Sequence, residues 1–169
     1  MTTHPLNSVF LTTLKRKRKK TLSDITYQFI YSKKAHFWGD ENYWATKQER
    51  VRISDLERTI LDGFDRPELC GGVTEVARGL WTAQKRINFK KLNQYAMRFR
   101  TNAAIKRLGF VLETLKLGSD WLPEFLKLIK KTESYIVLDP QSPKEGKALK
   151  RLELRINLDP EELKASVWG

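Results

Sequence analysis

The side chains of this chain that could do chemistry are a few carboxylates and a lysine. A magnesium-dependent nuclease would use residues of the types found at Asp62, Asp65, Asp139, Lys150 and Glu153. Mg²⁺ typically binds one or two protein carboxylates together with the phosphates of its substrate. The plainer interpretation is that Glu153 faces solvent from a strand and that Asp139 opens a turn before a proline. We favour this second interpretation, so we expect no catalytic residue and no enzymatic activity.

Other catalytic and metal-binding patterns are missing from the sequence. Its two histidines, His4 and His36, and its single cysteine, Cys70, are too few for a zinc site with four Cys or His ligands. No phosphate-binding loop and no dinucleotide-binding glycine pattern occurs, and Gly71 with Gly72 predicts only a sharp turn. We therefore expect neither a bound metal nor a cofactor.

A run of six basic residues is the clearest sign of a binding partner. The run consists of Lys15, Arg16, Lys17, Arg18, Lys19 and Lys20. The whole chain has 32 Lys and Arg against 20 Asp and Glu, a net charge of +12. Such a balance favours an anionic partner: DNA, RNA or an acidic protein surface. The run either binds phosphates or forms a solvated turn that keeps a sheet edge soluble.

The segments on both sides of the basic run predict strands. Residues 8–14 form a short apolar segment, and residues 25–31 alternate in the period-two pattern of a half-buried strand. We therefore expect a hairpin with the basic run at its tip. Residues 43–46 and 51–53 predict two more strands. Trp38, Tyr43 and Trp44 lie among lysines and would either stack on bases or pack between sheet and helices.

A helix is predicted to begin at Ser54, because Ser54 followed by Glu57 is the pattern of a capping box. Apolar residues then recur at helical spacing. The helix should end at Arg66, because the residue before a proline is disfavoured in the α region. Arg58 and Asp62 are four residues apart and can pair on one helix face. That polar face either serves a partner or holds the helix to the C-terminal strands.

The remaining elements define the fold class. Helices are expected to begin near Val73, Asn88, Thr101 and Pro123, and strands are expected at residues 135–138 and 152–158, before a short terminal helix. The order predicts an α+β fold: a mainly antiparallel sheet of N-terminal and C-terminal strands, with about five helices packed against it. We expect one domain over residues 1–169, with strand-rich residues 1–53, helical residues 54–131 and C-terminal residues 132–169.

Four stretches of the sequence together resemble the AbiEi-type antitoxin family of toxin–antitoxin and phage-defence systems. They are the basic run, residues 53–81, residues 106–113 and residues 138–157. The resemblance implies an antitoxin-like protein, related to transcriptional regulators, that counters a toxin resembling a nucleotidyltransferase. It places the antitoxin motif at Ser54, Glu57, Arg58, Asp62, Arg66, Gly71 and Gly72.

Family members usually carry an N-terminal winged-helix DNA-binding domain, and this sequence matches only the part that follows it. Because too few residues precede Ser8 for a helix-turn-helix, we do not expect this chain to recognise an operator by itself. The main alternative is a nucleic-acid-binding module without a toxin partner, and the nuclease is the weaker one. With one cysteine, no apolar span and no signal peptide, the sequence favours a cytoplasmic protein that does not bind membranes.

Overall fold

A computed structural model describes residues 8–132 and 134–168. Within these residues, strands come first, helices follow, and short strands with a last helix end the chain. The predicted α+β class is confirmed, with antiparallel and mixed sheets formed by the N-terminal and C-terminal strands. The expectation about residues before Ser8 concerns a segment outside the described residues. Every described helix is too short or too polar to cross a membrane.

Two compact units make up the chain, divided between Ser54 and Asp55. The division lies one residue beyond the boundary predicted between the strand-rich and helical parts. The first unit contains the strands β1 (Ser8–Thr13), β2 (Lys20–Leu22), β3 (Ile25–Tyr31), β4 (Asp40–Trp44) and β5 (Arg50–Ser54). Assignment of the whole chain to one antitoxin-type domain stays a prediction.

The first sheet does not contain the hairpin that the sequence predicted. β3 lies in the middle, with β1 parallel on one side and β2 antiparallel on the other. Ser23 and Asp24 both have positive φ, 47° and 64°, and form the two-residue turn between β2 and β3. Turns of this kind match the twist of antiparallel strands, and Asp tolerates the left-handed conformation. The basic run is therefore not a hairpin tip; it connects the two edge strands of the sheet.

β4 and β5 form a separate antiparallel pair whose register runs from Asp40 opposite Ser54 to Trp44 opposite Arg50. The two strands predicted in this region are confirmed, with shifted ends. Thr46 closes the connection, because its hydroxyl accepts hydrogen bonds from the amides of Gln48 and Glu49. All residues of both strands are exposed.

Helices dominate the second unit. They are α1 (Leu56–Asp65), α2 (Val73–Ala83), α3 (Phe89–Phe99), α4 (Asn102–Leu115), α5 (Leu122–Leu126) and α6 (Pro160–Trp168). α1 packs against α2, α3 and α4, and its residues Leu61 and Phe64 are fully buried. The predicted end of α1 is confirmed, because Arg66 before Pro67 leaves the helical conformation. The predicted cap of α3 is also confirmed: the Asn88 side chain accepts from the Lys91 amide.

The C-terminal strands form a third sheet. They are β6 (Ile136–Val137), β7 (Lys147–Leu149) and β8 (Leu154–Ile156), with β8 in the centre, parallel to β6 and antiparallel to β7. The strand predicted over residues 152–158 is shorter, because Glu153 has a φ of 48° and the extended conformation starts only after it. Among the described residues, the strands thus form three sheets, whereas the sequence predicted one.

Candidate functional site

The basic run lies on the surface of the first unit. Its residues are all exposed; the first five belong to the connection after β1, and Lys20 begins β2. The guanidinium of Arg16 lies 5.6 Å from the ring centre of Tyr31, and the Lys17 ammonium lies 5.5 Å from that of Phe29. A cation within about 6 Å of an aromatic face is attracted by its negative charge density. The connection is therefore held against the aromatic side of β3.

A second contact between basic and aromatic residues lies on the β4–β5 pair. Arg50 is opposite Trp44 in the register, and its guanidinium lies 3.9 Å from the Trp44 ring centre. Trp44 and Tyr43 keep 52% and 57% of their surfaces exposed. These two aromatics therefore do not pack in a core. Arg52 pairs with Asp40, and this hydrogen bond raises the pKa of Arg52.

The stretch predicted as the antitoxin motif begins differently from the prediction. Ser54 is the last residue of β5, and the N-cap of α1 is Asp55, whose carboxylate accepts from the Arg58 amide at 2.9 Å. A carboxylate suits this position because the helix N-terminus carries partial positive charge. Glu57 does not complete a capping box. Its Oε1 accepts from the backbone amide of Asn88 at 2.9 Å.

A buried network joins the start of α1 to α3. The Lys91 ammonium lies 2.8 Å from Glu57 Oε2 and 3.2 Å from Asp55 Oδ2, and the Tyr95 hydroxyl donates to Asp55 Oδ2 at 2.8 Å. The hydrogen bond to Glu57 raises the pKa of Lys91 above its ordinary value. Burial and the hydrogen bond to Asp55 raise the pKa of Tyr95. The role of Lys91 was not predicted, because no local sequence pattern marks it.

The predicted pair of Arg58 with Asp62 is confirmed, but it is not an exposed pair. Arg58 Nε lies 3.0 Å from both carboxylate oxygens of Asp62, and its guanidinium lies 5.1 Å from the Phe99 ring centre. Arg58 is 8% exposed, whereas the Asp62 side chain is 44% exposed. Arg66 is exposed and pairs with Glu68. Solvent therefore reaches the motif's charged side chains mainly at Asp62 and Arg66.

Arg107 of α4 connects the end of α1 to the C-terminal strands. Its Nη1 donates to the carbonyl oxygens of Phe64 at 3.1 Å and Asp65 at 3.3 Å, and its Nε donates to that of Val137 at 3.2 Å. Burial lowers the pKa of Arg107, and an arginine nevertheless keeps its proton. The residue thus satisfies carbonyls at the end of a helix, which have no partner within the helix itself.

The two motif glycines form the bend that the sequence predicted. Gly71 and Gly72 have φ angles of 89° and 98°. A Cβ atom at Gly72 would lie 3.0 Å from Gln141 Oε1 and 3.3 Å from Asp139 Oδ2. The bend therefore lies directly against the loop that follows β6.

The carboxylates considered for a nuclease have structural partners. Glu153 accepts from Lys106 Nζ at 2.8 Å and from the Thr132 amide at 2.7 Å, and the bond from Lys106 lowers the pKa of Glu153. Asp139 accepts from the Gln141 amide and the Ser142 hydroxyl. The described part of the chain contains no group of three or more His, Cys, Asp or Glu that could hold a metal ion.

Burial raises the pKa of Asp65, and the negative charge of nearby Asp62 raises it further. Lys150 is exposed, and its backbone carbonyl accepts from the Glu153 amide. Asp62, Asp139 and Glu153 therefore have hydrogen-bond partners within the fold. Glu153 does not face solvent from a strand, as the plainer interpretation expected, because it precedes β8 and binds Lys106.

Comparison with known proteins adds no relative: no family model, no curated protein and no solved structure matches this chain.

Proposed function

We propose that this chain is an antitoxin-like protein whose first unit binds the sugar–phosphate backbone of nucleic acid. The observation that carries the binding part is the exposed basic run held against aromatic rings. Residues 1–54 contain eleven Lys and Arg against four Asp and Glu. One of these four carboxylates, Asp40, pairs with Arg52 of the β4–β5 pair and not with the run. Exposed positive charge in such excess is what phosphate binding needs.

The antitoxin part rests on the resemblance and on one structural observation. Three of the resembling stretches lie in the second unit: residues 55–81 of the stretch 53–81, residues 106–113 and residues 138–157. Arg107 bonds to carbonyls at the end of α1, and Gly72 lies against Asp139 and Gln141. Stretches chosen from sequence alone thus belong to one continuous part of the fold, which supports a common role for them.

Nucleic-acid binding is tested by measuring affinity at several salt concentrations. The variant Lys15→Ala/Arg16→Ala/Lys17→Ala/Arg18→Ala should bind more weakly to every sequence. The slope of log affinity against log salt should flatten by up to about 0.9 for each duplex phosphate that the variant no longer neutralises. The control removes four exposed lysines of the second unit: Lys85, Lys144, Lys147 and Lys150. Equal weakening in both variants would contradict a specific role of the basic run.

Antitoxin activity is tested in cells that express a nucleotidyltransferase-like toxin whose gene neighbours the gene for this chain. Co-expression of the chain should restore growth, and an unrelated basic protein of similar size should not. Growth arrest that persists although the chain is folded and abundant would refute the antitoxin proposal. Such a result would leave the nucleic-acid-binding proposal standing.

A further inference from the structure

Three aromatic side chains lie in a row along β3. Tyr27, Phe29 and Tyr31 alternate along the strand, so they share one face of the first sheet. In the parallel register, Val9 is beside Tyr27 and Leu11 is beside Phe29. Residues paired in register project to the same side, so both apolar side chains extend this face. Tyr31, Val9 and Leu11 keep between 38% and 48% of their surfaces exposed.

Each aromatic residue in the row has a basic partner from the basic run. Lys20 is opposite Tyr27 in the antiparallel register. Lys17 lies over the Phe29 ring and Arg16 over the Tyr31 ring. The sheet face therefore carries three rings in a row. Two of them lie under a basic side chain, and the third is beside Lys20 in the strand register.

The spacing of the rings distinguishes between forms of nucleic acid. Alternate residues of a strand are about 6.6 Å apart, whereas bases of one duplex strand are about 3.4 Å apart. Bases in a duplex are also stacked on each other and present no free face. Only an unpaired strand with separated bases can place successive bases on Tyr27, Phe29 and Tyr31 while its phosphates meet the basic side chains.

We infer that this face of the first sheet, with Arg16, Lys17 and Lys20, binds single-stranded nucleic acid in preference to a duplex. The inference rests on the proposed nucleic-acid binding and names the form of its ligand. Stacking tolerates any base, because every base has an aromatic face. Binding is therefore expected to depend little on sequence.

The test compares three fluorescent ligands by anisotropy: a 15-residue oligo(dT), a 15-residue oligo(rU) and a 15-base-pair duplex of mixed sequence. The wild-type protein should bind at least one single strand about tenfold or more tighter than the duplex. The ratio between the two oligomers then identifies the preferred sugar. Equal affinity for all three ligands, with steep salt dependence, would overturn this inference and leave nucleic-acid binding intact. Absence of binding to any ligand would overturn both.

Variants of Tyr31 separate stacking from charge. Tyr31→Leu should weaken single-strand binding about 5- to 150-fold, the range expected for loss of one stacked base, and should leave the salt slope unchanged. Tyr31→Phe should bind like wild type. Gln28→Ala, on the opposite face of β3, is the matched control and should also bind like wild type. Circular dichroism and a thermal melt check that each variant is folded. Unchanged affinity in folded Tyr31→Leu would overturn the stacking role of this face.

Discussion

The Lys91 ammonium lies 2.8 Å from Glu57 Oε2, and Glu57 is only 4% exposed. Lys91 also lies 3.2 Å from Asp55, so one lysine neutralises two buried carboxylates at the start of α1. Removing one partner of a buried pair leaves an uncompensated charge. We expect Lys91→Met to lower the free energy of unfolding by about 2–3 kcal/mol, below the usual buried-pair value because water partly screens Lys91. Lys90→Met is the exposed neighbouring control, and an equal loss in both would contradict the prediction.

The same network predicts a loss of stability at alkaline pH. Because the pKa of Lys91 is raised, its contribution is fully present below the ordinary value of 10.5 and is lost as pH rises through the folded-state pKa. Urea unfolding between pH 7 and pH 12 should therefore show a larger alkaline loss for the wild type than for Lys91→Met. Parallel curves for the two proteins would argue against the raised pKa.

Asp55 and Ser54 provide a test of the corrected helix cap. Asp55→Ala removes the side chain that accepts from the Arg58 amide and from the Tyr95 hydroxyl. We expect the free energy of unfolding to fall by about 1–3 kcal/mol, because the variant loses the helix cap and leaves a buried donor without its acceptor. Asp55→Asn keeps a side-chain acceptor, so its free energy of unfolding should fall less. The melting temperature of Asp55→Ala should be lower than that of Ser54→Ala. The reverse order would indicate that Ser54 is the cap.

Gly72 and Gly79 form a matched pair for the bend before α2. Gly72 has a φ of 98°, and an added Cβ would lie 3.0 Å from Gln141 Oε1, whereas a Cβ at Gly79 would meet nothing within 4 Å. Gly72→Ala should cost about 1–3 kcal/mol, the usual strain of such a backbone conformation. Gly79→Ala, inside α2, should stabilise by about 0.5–1 kcal/mol. Denaturant titration of both variants checks the opposite signs.

Glu153 should contribute to acid unfolding. The hydrogen bond from Lys106 lowers the pKa of Glu153. The ionised carboxylate therefore stabilises the fold above the unfolded-state pKa of about 4.3. This stabilisation is lost as pH falls through the lower folded-state pKa. The melting temperature of Glu153→Gln should therefore change less between pH 5 and pH 3 than that of the wild type. An equal change would show that this carboxylate does not control the acid transition.

Variants of the exposed residues in the proposed antitoxin motif test whether it acts in toxin neutralisation or only in folding. Arg66→Ala removes only a partly exposed ion pair with Glu68, so stability should change by less than about 1 kcal/mol. Asp62→Asn keeps an acceptor for the buried Arg58 and should also remain folded. Both variants should fail to restore growth in the toxin assay, whereas Lys127→Ala on α5 should restore it. Full rescue by both would make the motif a feature of folding without a direct role in neutralisation.

Features that depend on neighbours within about four residues could be predicted from the sequence alone. Four such features follow from local geometry: the end of α1 before Pro67, the bend at Gly71 and Gly72, the Asn88 cap and the pairing of Arg58 with Asp62. Each depends either on a backbone preference of the residue itself or on a side chain that reaches only the next turn, so the residue types and their spacing suffice to predict it.

The burial of polar groups and the pairing of strands could not be predicted from local patterns. Glu57 bonds to residues more than thirty positions away, and Arg107 bonds to residues of α1 and β6, so no local pattern could reveal either role. The sequence also did not show that the short β2 pairs with β3 through the turn at Ser23 and Asp24, while β1 pairs with β3 in parallel. Burial and strand order depend on contacts between distant segments, and only the folded chain brings those segments together.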